Sequence, residues 1–320
     1  MNFRTSIPIS KSDFQINYHS KIVSLGSCFA VNMAEKFDYF KFQNAVNPFG
    51  ILFHPMAIEK FVGFAADQKA FTEKDIFFHN ERWHCFDAHS GLSNSDSDQL
   101  LQSLNLKVFE TAENLSKASH VIITFGTAWT YRNIESDQIV ANCHKVPQKQ
   151  FKKELLSVET IKKSIRNTIG LLAKINPALQ IIFTISPVRH LKDGFVENQW
   201  SKSNLMSALQ EIVHQSQNFG KESIHYFPSY EIMMDELRDY RFYAEDMIHP
   251  NQTAVDYIWK RFSETWISEA AIPMMDQVDN IQKSLQHRPF NPHSEKHQLF
   301  LSKLNQQILL LQTQFPHLRF

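Results

Sequence analysis

Twice in this chain a short run of strand-forming residues ends on a glycine: Ile22 to Leu25 meets Gly26, and Val121 to Phe125 meets Gly126. With only 8 glycines in 320 residues, that placement reads as a backbone requirement, because glycine alone turns without a Cβ penalty. Two further runs, Gln180 to Ile185 and Ser223 to Phe227, have the same Ile, Val and Phe character. Around them lie segments with apolar residues at i, i+3, i+4 spacing: Phe29 to Phe37, Pro55 to Ala66, Val158 to Ile175, Lys202 to His214 and Gln252 to Trp266. Apolar strands alternating with amphipathic helices predict an α/β fold, a central parallel sheet covered on both faces. Gly170, inside one helical pattern, reads as a packing glycine.

Two regions leave this rhythm. Phe71 to Leu92 holds Phe77, Phe78, Trp83 and Phe86 in partial alternation and reads as a β-hairpin insertion, followed by a polar loop from Ser93 to Gln99 that leads into a helix. The tail carries one polar helix, a break at Pro289-Phe290-Asn291-Pro292, and a second helix with Leu301, Leu304, Ile308 and Leu311 on one face. The expected organisation is one α/β domain over 1–270 with the insertion at 71–92, then a helical extension over 271–320. That extension would pack on the domain or join two copies of the chain.

Lys+Arg 33 equals Asp+Glu 33, so no global field draws the chain to nucleic acid or an anionic membrane. No stretch is long and apolar enough to cross a bilayer, and Met1 to Pro8 lacks the apolar core of a signal peptide. Cys28, Cys85 and Cys143 form neither an even set nor a C-x-x-C pair, which fits a reducing, cytoplasmic setting. Among 15 histidines, His79, His84 and His89 lack the spacing of a shared metal site. No metal and no cofactor are expected.

Two constellations carry chemistry. Gly26-Ser27-Cys28 lies between a strand and a helix, so its hydroxyl and thiol emerge at the carboxyl edge of the sheet. The amides of the helix N-terminus would face a developing oxyanion there and depress the Cys28 pKa. The plainer reading makes Ser27 a helix cap and Cys28 a small buried residue. In Asp246-x-x-His249-Pro250, Pro250 would open the helix that follows, and Asp246 would hold the His249 Nδ1–H, leaving Nε2 as base. Its plainer reading is a helix cap. Arg189 and His190, after the third strand, would bind a carboxylate, phosphate or sugar hydroxyl. Trp129 follows Gly126 and would stack on substrate.

Gly26-Ser27-Cys28-Phe29-Ala30 resembles the signature of the GSCFA-domain family, a branch of the SGNH/GDSL hydrolase superfamily. The resemblance extends over Asn47-Pro48-Phe49-Gly50, Phe125-Gly126-Thr127-Ala128-Trp129, Ser186-Pro187-Val188-Arg189-His190 and Asp246-Met247-Ile248-His249-Pro250. It implies a flavodoxin-like three-layer αβα sandwich with a Ser-His-Asp type of acyl chemistry. Two departures stand out. Cys28 occupies the position of the superfamily's nucleophilic serine, with Ser27 where its aspartate stands. Ala128 occupies the position of its oxyanion asparagine, whose role would pass to Thr127, Asn47 or Trp129. Gly50 would supply the second oxyanion N–H. The resemblance thus implies an esterase, deacylase or O-acyltransferase for a small O-acyl substrate, carbohydrate among the carriers, with Cys28 or Ser27 attacking and His249 and Asp246 assisting. The alternative is a non-catalytic small-molecule or glycan binding module.

Overall fold

The computed structural model describes residues 5–218 and 223–320. The first half of the chain forms β1 (Lys21–Gly26), α1 (Cys28–Tyr39), β2 (Gln43–Val46), α2 (Pro55–Ala66), β3 (Phe77–His79), β4 (Arg82–His84) and α3 (Ser97–Lys117). Then come β5 (His120–Phe125), β6 (Trp129–Asn133), β7 (Ile139–Val140), β8 (Phe151–Leu155), α4 (Val158–Ile175) and β9 (Gln180–Ile185). The rest is α5 (Phe195–Asn218), β10 (Ile224–Phe227), α6 (Ser229–Glu231), α7 (Gln252–Trp266), α8 (Ile272–Gln286) and α9 (Glu295–Gln314).

The central sheet has the order β10-β9-β5-β1-β2, and every pairing in it is parallel. Taken in chain order among themselves, its strands run 2-1-3-4-5, the flavodoxin-like doubly wound order. Successive residues of each strand face opposite ways, and this sorts the core in two. Val23, Leu25, Val121, Ile123, Ile181 and Phe183 pack with α2 to α5. Ile22, Ile122 and Ile182 pack on the other side with Phe29 and Phe37 of α1 and Ile258 and Phe262 of α7. Three layers result, as the uninterrupted apolar strands imply.

The turn after β1 explains its glycine. Gly26 has φ of 129°, and a Cβ there would lie 2.1 Å from the Thr124 carbonyl oxygen of β5. Ser27 N–H donates to the same oxygen at 3.0 Å, so the two strands close tightly just where the chain turns into α1. Gly170 is a correction: a Cβ added there meets nothing within 4 Å, so packing does not demand glycine.

Several elements depart from the sequence expectation. The hairpin in 71–92 is reduced to the three-residue strands β3 and β4. β2 is a half-buried edge strand of Gln, Asn, Ala and Val, too polar to register as a run. The antiparallel sheet β7-β6-β8 is held by cross-strand pairing of segments as polar as Phe151-Lys152-Lys153-Glu154. α5 begins at Phe195, seven residues before its periodic apolar stretch. In the tail, Tyr39 Oη donates to Asp279 of α8 at 2.8 Å, and Leu304 and Leu311 of α9 are buried in the α1/α7 core. Among the described residues no helix is long and apolar enough to cross a membrane.

These two glycines give opposite expectations under the same substitution. Gly26→Ala should cost about 2–3 kcal/mol or prevent folding, since strain at positive φ adds to a backbone collision. Gly170→Ala should stabilise by roughly 0.5–1 kcal/mol, as a helix-interior glycine with room for a methyl. Urea unfolding of both variants checks this, and a neutral Gly26→Ala would contradict the described turn.

Candidate active site

The order of the central strands reverses between β1 and β5, so a crevice opens beyond their carboxyl ends. Gly26-Ser27-Cys28 and Gly126 occupy that place. Asn47, at φ 40°, fixes the turn by accepting the Gly26 N–H on Oδ1 at 2.7 Å. Ser27 precedes α1, yet its hydroxyl makes no capping bond. It is 0% exposed, and its Oγ lacks a hydrogen-bond partner. Cys28, the first residue of α1, is only half-buried. Of the two, Cys28 is the side chain that an incoming reagent can reach.

The Cys28 thiol departs from expectation. Burial pushes its pKa up, while the Phe29 amide, the Lys202 charge and the Cys28 amide oppose that push. The helix N-terminus acts in the anticipated direction, but desolvation outweighs it.

Beneath the turn lies a set of buried polar groups that sequence reading did not assemble. A Cβ on Gly126 would lie 3.1 Å from Ser27 Cβ and 3.3 Å from His190 Nε2. The His190 ring packs edge-on against Phe53, with Nε2 unpartnered. Burial first, then the charges of Lys202 and His249, drive its pKa down to about 3, so it is a neutral imidazole. His190 thus lies against Gly126 and the Ser27 turn as a half-buried imidazole whose Nε2 has no partner among the described residues. Lys202 of α5 is 0% exposed and donates to the carbonyls of Gly126 at 2.8 Å and Ser186 at 2.7 Å. It shares the i, i+3, i+7 core face with the buried Leu205 and Leu209. That register was the one sequence signal of its burial.

The histidine arrives on a loop. His249 Nδ1 and Asp246 Oδ2 are 2.6 Å apart, and Asp246 Oδ1 accepts the amides of Ile248 at 2.9 Å and His249 at 3.0 Å. Met247, at φ 58°, bends the chain so that carboxylate and imidazole meet. Among the described residues Asp246 is the hydrogen-bond partner of this ring, which leaves Nε2 open. Both side chains are 46% exposed. Neither caps α7. Asn251 is the N-cap, accepting Ala254 N–H at 3.1 Å, and Pro250 lies outside the helix, bridged to Tyr243. The His249 charge is the smallest of the three influences that lower the His190 pKa.

Of the residues expected to stabilise an oxyanion, Gly50, Thr127 and Trp129 make hydrogen bonds within the fold, while Asn47 keeps an unpartnered amide nitrogen. Gly50 N–H donates to Asn47 O at 2.7 Å, closing its own turn. Thr127 Oγ1 lies 3.0 Å from Ser201 Oγ and accepts the Trp129 amide at 3.0 Å. The Trp129 indole donates to Glu197 O at 3.1 Å, and Lys153 lies over its ring. Thr127 and Trp129 anchor β6 to α5, and the Asn47 amide nitrogen is buried without a partner. Arg189 does face an opening. Together with Met233, Leu237, Tyr243 and Met247 it lines a mostly apolar cleft of about 250 Å³ beside the histidine loop. Among the described residues no three His, Cys, Asp or Glu side chains gather as a metal site would require.

A doubly wound α/β protein with a cysteine at the strand–helix turn and an Asp-paired histidine on a late loop is the class this geometry defines. The chain belongs to the GSCFA family, which it matches over residues 21–262. Residues 278–320 match the C-terminal domain of GSCFA domain proteins. No curated protein matches the chain. Among solved structures it is similar to an acetyl xylan esterase, Est2A, from the rumen bacterium Butyrivibrio proteoclasticus. That similarity has 11% identity and a TM-score of 0.33, covering 81% of this chain and 64% of the other.

The Asp246 loop makes an acid-range prediction. The His249 amide, the His249 ring and the Ile248 amide hold its carboxyl at about 2, below the usual 3.8. A depressed folded-state pKa stabilises the fold above about pH 4, and this contribution is lost as pH falls toward about 2. Asp246→Asn should therefore show a shallower loss of stability across that window. Urea unfolding at stepped pH measures it, and an unchanged slope would count against the hydrogen-bonded loop.

Proposed function

We propose that the protein is an acyl-transfer enzyme, an esterase, deacylase or O-acyltransferase of SGNH type acting on a small O-acyl group, with a carbohydrate as one carrier. In this reading the Cys28 sulfur attacks the acyl carbonyl carbon while His249 Nε2 takes the thiol proton. The tetrahedral intermediate collapses, the C–O bond breaks, and the departing alkoxide receives that proton. A thioester on Cys28 remains, and water or an acceptor hydroxyl, deprotonated by His249, cleaves it. Asp246 holds the imidazole tautomer and supports the imidazolium. The observation that carries this reading is the 2.6 Å Asp246–His249 pair, taken with Cys28 at the turn from β1 into α1.

The raised thiol pKa suits a base-assisted attack, because a thiol that stays protonated needs a partner to remove its proton as it reacts. With Gly50 and Thr127 engaged, the first amides of α1, already oriented toward the sulfur, are the anion-stabilising element this reading uses. A thioester is resolved more readily by an alcohol than an ester is, which favours transfer. The alternative is a non-catalytic module that binds a small molecule or glycan. Its support is the absent donor at Ala128 together with the Gly50 N–H spent on Asn47.

A panel of activated acyl esters followed by peptide mass spectrometry tests the choice. An adduct should form on Cys28, vanish in Cys28→Ala and persist in Ser27→Ala. His249→Ala should slow acylation by about 10⁴-fold or more, and Asp246→Asn by up to about 10⁴-fold. Melting curves should show both variants folded. No adduct at Cys28 with any ester, alongside retained ligand binding, would favour the binding module.

A further inference from the structure

Lys202 is the most deeply buried charged side chain of α5, with 0% exposure, and no acidic group pairs with it in the described structure. Its ammonium spans two strand ends, donating to Gly126 O after β5 at 2.8 Å and to Ser186 O after β9 at 2.7 Å. The third side of the ammonium faces the Tyr230 ring, whose centroid is 5.6 Å away. Gly126 is itself packed on the nucleophile turn, since the space its missing Cβ leaves is bounded by Ser27 Cβ at 3.1 Å. A solvent-inaccessible ammonium thus lies one backbone segment away from the Gly26-Ser27-Cys28 turn.

We propose that Lys202 is a positioning residue whose buried cation biases the Cys28 thiol toward thiolate while tying the ends of β5 and β9 together. The inference rests on the reading of Cys28 as the nucleophile, but its test reads the thiol and needs no acyl substrate. Burying an ammonium among carbonyls and an aromatic ring is costly, because carbonyl dipoles replace only part of its hydration. A purely structural clamp at this place would be served by a neutral amide donor without that cost. What a charge adds is its field, which falls off slowly in a poorly screened interior.

The groups that face it from each neighbouring element are consistent with that role. Cys28 on α1 raises the Lys202 pKa as a thiolate would, while Arg189 in the loop after β9 lowers it. Tyr230 on α6 contributes its ring face, and His190, near the same glycine, is kept neutral partly by the Lys202 charge. Burial, the largest influence, brings Lys202 down to about 7. The cation is therefore present below neutral pH and lost above it. Its help to the thiol is largest on the acid side, where an isolated thiol would be almost wholly protonated.

The test is the pH profile of Cys28 alkylation by iodoacetamide, read by peptide mass spectrometry, in the wild type, Lys202→Met and Lys202→Gln. Glutamine keeps a donor for one carbonyl and removes the charge. Both variants should alkylate about tenfold more slowly at pH 6.5, the ratio that one pKa unit gives. The Cys28 profile should move to higher pH in both, including in the glutamine variant, whose melting curve should show it folded. A folded Lys202→Gln protein with the wild-type profile would overturn the proposal and leave Lys202 a clamp. If neither variant folds, the wild type decides. In ¹³Cε-lysine NMR, one resonance should titrate near neutral pH and shift its midpoint when Cys28 is capped as a methyl disulfide, because coupling between two sites is reciprocal. A lysine titration indifferent to the cap would overturn it equally. Failure of acyl trapping with a normal Lys202 effect would remove the catalytic reading and leave this one standing.

Discussion

The closest backbone approach in the site is the one between Gly26 and the Thr124 carbonyl, and much of the architecture depends on it. With 2.1 Å between that oxygen and a hypothetical Cβ, no other residue can occupy the end of β1 without moving β5. The approach lets Ser27 N–H reach Thr124 O, which fixes where α1 begins and therefore where Cys28 points. It also brings Gly126 against Ser27, so the ends of the two strands at the switch point share one crowded space. Asn47, reaching back from the end of β2 to the Gly26 amide, ties in the third strand of the group. A single steric constraint thereby sets sheet closure, helix entry and the direction of the thiol.

Much of the fold was legible in the chain because its strands are buried on both faces. A strand with helices above and below is apolar at most positions, so β5 and β9 stand out as runs within a residue of their true limits. α2, α4 and α7 begin and end where their apolar periodicity does. The elements that stayed hidden owe their existence to neighbours. β2 is a half-buried edge strand, and β6, β7 and β8 form a separate small sheet in which Lys152 and Lys153 of β8 are exposed. Their stability comes from hydrogen-bond partners distant in sequence, which leave no local trace.

The residues of the candidate site were legible in the sequence and their environment was not. Ser27, Cys28, Asp246 and His249 could be named from motif and spacing, since a short loop suffices to bring a carboxylate three residues back onto an imidazole. Which polar atoms were already committed could not be read. Gly50 has the right identity for oxyanion binding, yet its N–H closes its own turn, and Thr127 Oγ1 accepts the Trp129 amide and lies against Ser201 Oγ. The sign of the Cys28 shift was missed for a related reason. Helix N-terminus and burial compete, and only the packed structure shows that burial prevails. Lys202 went unnoticed because a lysine in a helix is read as a solvated face unless its register with Leu205 and Leu209 is followed.

The site divides into a dry lower layer and a wet upper one, and that division explains how charge could be handled there. Below the turn, desolvation pushes every group toward its neutral form: Cys28 up, His190 down, Lys202 down. Above it, Asp246 is exposed, held by three hydrogen bonds and kept ionised far into the acid range. Charge separation between a thiol and an imidazole is expensive if both partners are buried, since both ions then lose hydration. Placing the imidazole on a solvated loop and its carboxylate beside it lets the cation form where water and an anion already favour it. On the proposed reading only the sulfur then has to become an anion beside the interior, and the proposed source of a favourable field is Lys202, whose pKa burial brings down to about 7.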